Sequence, residues 1–212
     1  MIKISIDFKK LVDILNIEAP VHFTNRNELN KENYVLCKIM GDEEKNALIN
    51  GTHDQKKKYN DEDLGLYFPD VDIEEYLQLE RNRNPMAIES RMNEISYITR
   101  VYIKEYSLVI AIYSVLHEYG HWIYFMNSKK TSYEYCEMER KIRQPHEELL
   151  KKIREMNDCD PMKRMLGEKY NEEIYSKYPS EKFADEYAKE HILEALETVR
   201  NALKYDEQDL IN

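Results

Sequence analysis

Ser107 to Met126 reads SLVIAIYSVLHEYGHWIYFM, and this stretch decides how the rest of the chain is read. Leu108 to Leu116 is apolar except for Ser114 and carries no polar stripe. A helix with no polar face is buried on all sides. Ser107 is the predicted N-cap and Met126 the approximate end. Within the segment stand His117, Glu118 and His121. Residues four apart project from one face of a helix, so both imidazoles can grip a single metal ion from the same side. Buried polar groups without partners are costly, and a metal ion would supply the partner.

The chemistry that suits HEYGH is metal-assisted hydrolysis. Two imidazoles are good zinc ligands. Zinc lowers the pKa of a bound water to about 7 and polarises a carbonyl. Glu118 is close enough to act as general base without being a ligand. Composition alone would produce an HExxH string about 0.02 times in such a chain, so the context is what weighs. Tyr119, Gly120 and Trp122 are uncharged and Ile123 is apolar, as a buried metal helix requires. Two plainer readings compete: a core helix whose histidines are satisfied by protein, and a membrane-spanning helix of about 20 residues. The ionisable residues inside it and the polar remainder of the chain count against the second.

A third ligand has to come from elsewhere, because position 124 is Tyr and position 127 is Asn, which rules out an HExxHxxGxxH continuation. One candidate is Glu181, in the segment Pro179 to His191, PSEKFADEYAKEH. Glu181 and Asp185 share a helix face. Asp185 could accept the other ring N–H of a ligand histidine, His117 first among them. Ala184 and Ala188 are small and would let this helix approach Gly120 closely. The alternative is His146, 25 positions after His121. His191 lies too far along the helix from Glu181, and His22 and His53 are read as incidental. No choice of oxyanion-stabilising group among the 17 tyrosines follows from sequence; Tyr175 and Tyr178 precede Glu181 most closely.

HEYGH followed by Glu181, Ala184, Asp185, Tyr187 and Ala188 in the pattern ExxADxYA resembles the ImmA/IrrE peptidase family and, more broadly, peptidases whose third zinc ligand is a glutamate. With His146 as ligand the resemblance would instead be to SprT-like proteases. The ImmA/IrrE resemblance implies a zincin-like fold, with a small mixed sheet beside the active helix. It implies a zinc endopeptidase with His117, His121 and Glu181 on Zn²⁺, Asp185 in support, and a regulatory protein such as a repressor as substrate. It covers residues 95–126 and 179–192 in detail. Two departures stand out: Glu181 follows His121 by 60 positions, and Ser114 stands where the extended signature has Val or Thr.

Outward from these segments the chain is expected to be α+β, a single domain over 1–212. Residues 1–106 form a mixed portion. Residues 107–127 form the active-site helix, 128–178 a helical insertion and 179–204 the third-ligand helix. Asp7 to Ile17 has helical apolar spacing. Val21–Phe23, Tyr34–Ile39 and Leu64–Phe68 are strand-prone, 41–63 is polar and loop-rich, and Asp70 to Arg81 is a short helix. Ile95 to Ile103 is expected to be the clearest strand, because Ile95, Tyr97, Thr99, Val101 and Ile103 alternate with Ser96, Arg100 and Lys104. Helices are expected near 132–157, 162–176 and 180–204, punctuated by Pro145, Pro161 and Pro179.

Composition narrows the function classes. Among 212 residues, 42% are hydrophobic and 34% charged, which permits a packed core inside a polar surface. A mean hydropathy of -0.75 argues against a membrane protein. The net charge of -10 disfavours nucleic acid as a partner. The Lys56–Lys58 run is followed at once by Asp61, Glu62 and Asp63 and reads as a solvated loop. Cys37, Cys136 and Cys159 are odd in number and form no CxxC pair, which fits free thiols in a reducing compartment. MIKISIDFKKLVDIL lacks a signal-peptide core, so the cytoplasm is the expected location. Partners are then a protein or peptide substrate, with neither nucleic acid nor membrane. Two other classes stay open: a zinc-binding regulatory or structural protein that does no catalysis, and a scaffold built on the charged helices, whose apolar pattern lacks sustained heptads.

Overall fold

The computed structural model describes residues 6–24, 36–37, 65–83, 85–100, 105–157 and 160–204. The polar stretch 41–63, with His53 and the Lys56–Lys58 run, lies outside the described residues, as does Cys159. The described chain is mostly helical with one small sheet, so the class is α+β.

Helix α1 (Phe8–Leu15) starts where Asp7 accepts a hydrogen bond from the Lys10 N–H at 2.7 Å, and it ends at Asn16 in the left-handed conformation (φ 50°). Its Phe8, Leu11 and Val12 are buried, the i, i+3, i+4 stripe that the sequence predicts. The strands β1 (Val21–Thr24), β2 (Leu36–Cys37) and β3 (Leu66–Pro69) follow; each overlaps a segment expected to be a strand, β1 and β3 running one residue further. β3 is central: β1 runs parallel to it, Val21 opposite Leu66, and β2 antiparallel, Leu36 opposite Tyr67. The sheet is therefore mixed, as expected. Phe8 stacks on Phe68 and meets Tyr76 edge-on, which joins α1, the sheet and helix α2 (Ile73–Arg83).

The expected strand from Ile95 is not a strand. Residues 95–99 belong to helix α3 (Pro85–Thr99), and 101–104 lie outside the described residues. Ile88 and Ile95 are buried, with Met92 and Ile98 packed beside them. Those positions repeat every three or four residues, whereas Tyr97, which the alternating pattern would bury, is 88% exposed. The apolar Ile98 in a supposedly outward slot is the residue that the strand reading passes over; the longer helical register from Ile88 explains it.

Helix α4 (Tyr106–Ser128) carries HEYGH and is buried continuously from Ser107 to Leu116. Ser107 is not its cap. The cap residue is Glu105, whose side chain makes no capping bond and instead takes two hydrogen bonds from Arg200, at 2.8 and 2.7 Å. The helix thus starts one residue before Ser107, at Tyr106, with its cap residue tied to Arg200. Ser114 is accommodated in the core because its hydroxyl donates to the Ile110 carbonyl at 2.9 Å and pairs with the Tyr76 hydroxyl at 3.1 Å.

The chain next makes the helical excursion predicted over 128–178. Helix α5 (Ser132–Arg143) opens with a capping box, Thr131 with Glu134. A single 3₁₀ turn, Gln144–His146, holds Pro145 and separates α5 from α6 (Glu147–Glu155). Helix α7 (Pro161–Glu173) and a second 3₁₀ turn, Tyr175–Lys177, complete it. Helix α8 (Pro179–Leu203) has Pro179 in its first turn, where a missing N–H costs nothing. It buries Glu181, Ala184, Ala188, Ile192, Ala195, Leu196 and Val199, and its main partner is α4. Among the described residues, no helix is long and apolar enough to cross a membrane.

Candidate metal centre

The centre lies where the last turns of α4 meet the first turn of α8. Small residues make the approach possible. A β-carbon added at Gly120 would stand 2.8 Å from the Ala184 Cα, closer than any real contact. With the backbones this near, the side chains beside Gly120 and Ala184 converge.

His117 and His121 present perpendicular rings with centroids 4.9 Å apart. The Glu181 carboxylate closes the third side. Its Oε2 lies 3.5 Å from His117 Nε2 and 3.3 Å from His121 Nε2. The donor atoms available from the three residues all fall within 4.8 Å of one another. Tetrahedral zinc, with bonds of about 2.0–2.1 Å, spaces its ligand atoms about 3.3–3.4 Å apart. Glu181 is 5% exposed, and its Oε2 has no hydrogen-bond partner in the protein. A buried carboxylate oxygen aimed between two imidazoles and otherwise unsatisfied is what a cation site requires. The three residues therefore fit a metal ion, and the two-imidazole, one-carboxylate donor set is one that zinc favours.

The local electrostatics are dominated by burial and by these mutual contacts. Burial alone would raise the pKa of Glu181, yet the close approach of His117 and His121 holds it far below the usual carboxylate range. Burial would lower that of His121, but Glu181 and Glu118 more than offset it and the net shift is upward. Glu118 is itself buried, 5% exposed, and its charge is felt at His121, Tyr76 and Tyr175. The catalytic candidate is thus in the same buried cluster as the metal candidates.

The two candidate third ligands separate cleanly. Glu181 is in the cluster. His146 is not: its Nδ1 pairs with the Tyr178 hydroxyl at 3.0 Å, and that hydroxyl also meets the Tyr170 hydroxyl at 3.1 Å. The His146 ring also packs against that of Tyr178, with centroids 5.8 Å apart. His191 packs against Tyr187, with ring centroids 4.3 Å apart, and takes no part.

The supporting bond expected from His117 to Asp185 is not formed. Asp185 accepts a short hydrogen bond from the Tyr113 hydroxyl and an ion pair from Lys189, while His117 Nδ1 is buried without a hydrogen-bond partner. Tyr113 lies one turn before His117 on α4 and its longer side chain reaches the carboxylate first. Lys189 follows Asp185 by one turn of α8 and extends to Glu94 on α3 at 2.7 Å. Asp185 therefore joins helices instead of orienting a ligand.

Sequence reasoning passed over Arg143. Its Nη2 donates to Glu181 Oε1 at 3.0 Å, so the two oxygens of Glu181 are divided between a guanidinium and two imidazoles. Arg143 also bonds Glu139, and its guanidinium lies over the Tyr175 and Tyr178 rings. A charged residue among the many of α5 carries no sequence signal that would single it out. Tyr175 does belong to the site. Burial first, and then the charge of the neighbouring Glu181, push its pKa well above the ordinary value, so the hydroxyl stays protonated at physiological pH. No family model, curated protein or solved structure matches this chain.

Proposed function

We propose that the protein is a zinc-dependent endopeptidase with a zincin-like core, in which His117, His121 and Glu181 hold Zn²⁺ and Glu118 is the general base. The observation that carries this reading is the meeting of Glu181 Oε2 with both imidazoles at 3.3–3.5 Å, 60 positions after His121 in the chain, beside a buried Glu118. A structural zinc site has no use for a general base beside its ligands, and such sites are usually closed by four protein ligands; among the described residues three converge here, with Glu118 next to them. That count favours hydrolysis over the rival reading of a non-catalytic zinc-binding regulator.

Zinc bound here would supply Lewis acidity, making water a nucleophile near neutral pH and polarising the substrate carbonyl. Glu118 would take the proton released by the attacking water and return it to the departing amide nitrogen, as a buried carboxylate one residue from a ligand is placed to do. Tyr175, protonated and adjacent to the carboxylates, is the donor best suited to the oxyanion. The resemblance of HEYGH and ExxADxYA to the ImmA/IrrE family points to a regulatory protein such as a repressor as the substrate.

Metal analysis of protein purified without tag or chelator tests the first half. About one zinc per chain is expected, in line with a single three-ligand centre. Glu118→Gln tests the second half: it should keep the metal and lose cleavage of a fluorescently labelled, unfolded protein. Cleavage retained by Glu118→Gln would remove the base from the mechanism, and well-folded wild type that takes up no zinc would end the peptidase reading.

A further inference from the structure

We infer that Arg143 is a positioning residue of the metal centre, holding the Glu181 carboxylate in the orientation that turns Oε2 toward His117 and His121. The inference rests on the metal reading proposed above and extends it to a residue in the excursion between the two ligand helices.

Glutamate has several side-chain rotamers, and a ligand is useful only in the one that meets the ion. Glu181 is too buried for water to hold it. Its Oε1 is held by Arg143 Nη2 at 3.0 Å, which leaves Oε2 for the imidazoles. Arg143 is itself fixed. Its Nε and Nη2 reach Glu139 Oε2 at 3.4 and 3.2 Å, and its guanidinium lies 5.1 Å from the Tyr178 ring centre and 5.7 Å from that of Tyr175. Glu139 is fixed in turn by a hydrogen bond from the Ser180 hydroxyl at 2.9 Å. Ser180 is the neighbour of Glu181 in the chain. The contacts therefore form a closed loop, Ser180 to Glu139 to Arg143 to Glu181, which clamps the end of α5 onto the first turn of α8. Ser180, Glu139 and Glu181 are 1%, 5% and 5% exposed, and the Arg143 side chain, at 35%, is the one member that reaches solvent. Only a guanidinium can bond two carboxylates at once from a planar fork while lying on aromatic faces.

Charge cannot be the purpose of this arrangement. A fixed positive group beside a ligand carboxylate repels a bound cation. If Arg143 acted only through its charge, removing it would tighten metal binding; if it sets the Glu181 rotamer, removing it weakens binding. The two effects have opposite signs.

The test is zinc affinity, measured by competition with a chromophoric chelator, with the visible spectrum of the cobalt-substituted protein as a second readout. Folding of each variant is checked by circular dichroism without metal. Arg143→Ala should bind zinc about 10- to 100-fold more weakly than wild type, the range seen when a ligand loses its supporting contact. Its cobalt band should change as Glu181 lets go. Arg143→Lys keeps the charge but loses the fork, and should also bind more weakly; it carries the test if the alanine variant does not fold. Glu139→Gln, which leaves the Arg143–Glu181 bond in place, should show a smaller loss. Zinc affinity that is unchanged or tighter in Arg143→Ala, with a wild-type cobalt spectrum, would overturn this inference alone. Wild type that binds neither metal would overturn it together with the metal reading.

Discussion

Gly120 faces Ala184 across the contact of α4 and α8 with no room for one more carbon: a β-carbon at 120 would sit 2.8 Å from the Ala184 Cα, 3.1 Å from its carbonyl oxygen and 3.1 Å from the Tyr187 Cβ. Two of these three atoms are backbone, so relief requires one helix to shift relative to the other. Gly120→Ala should therefore destabilise the fold by about 1–3 kcal/mol, the usual cost of overpacking. Because the same displacement separates Glu181 from the imidazoles, zinc affinity should fall as well. Thermal melts and chelator competition measure the two effects. A stable variant with unaltered affinity would show that the helices are not locked at this point.

Removal of the metal gives a second expectation. A ligand bound only by the folded state raises the melting temperature with its concentration. Chelator should lower the melting temperature of wild type and leave that of His117→Ala, His121→Ala or Glu181→Ala unchanged. His146→Ala should behave as wild type in this comparison, because His146 is engaged by Tyr178 outside the cluster. A chelator response lost in His146→Ala and kept in Glu181→Ala would reverse the ligand assignment.

Asp185 makes the structure pH-sensitive in a defined direction. Burial would raise its pKa, but Lys189 and the Tyr113 hydroxyl hold it below the ordinary carboxylate value. A group whose pKa is depressed on folding contributes stability above its unfolded pKa, about 3.9 for Asp, and loses it as pH falls through the folded value. Asp185→Asn should thus melt below wild type near neutral pH, with the gap closing in the acid range below about pH 4. Metal-free protein is the sample to use, so that ligand protonation does not intrude. A gap that stays constant on acidification would mean that the carboxylate charge contributes nothing.

The Glu105–Arg200 pair anchors the start of α4 to the end of α8. Glu105 is fully buried and takes both guanidinium bonds. Removing one partner of a buried ion pair costs about 3–5 kcal/mol, because the other charge is left in a low-dielectric setting. Arg200→Met should be destabilised on that scale in a denaturant titration, and adding Glu105→Leu should recover most of the loss. A double variant no better than the single would assign the loss to packing.

The local part of this protein was legible. Helical apolar spacing announced α1, an apolar run without a polar stripe announced α4, the four-residue spacing of Glu181 with Asp185 and of Ala184 with Ala188 announced α8, and prolines 145, 161 and 179 marked the turns between helices. Spacing alone put His117 and His121 on one face and Glu118 beside them. The misreading at Ile95 also has a local cause, since a five-position alternation is too short to outweigh a helical register that begins at Ile88.

Sequence by itself determined what periodicity and side-chain chemistry can encode: the mixed class, the buried helix, the pair of imidazoles and the small residues that permit close approach. Only the tertiary structure brought Glu181, and not His146, to the two imidazoles, gave Asp185 to Tyr113 and Lys189 instead of His117, and brought Arg143 onto the other oxygen of Glu181. The reason is physical. Helical spacing specifies which residues share a face over one or two turns, but which side chains meet across 38 or 72 positions depends on how two helices pack and which rotamer fills the space between them.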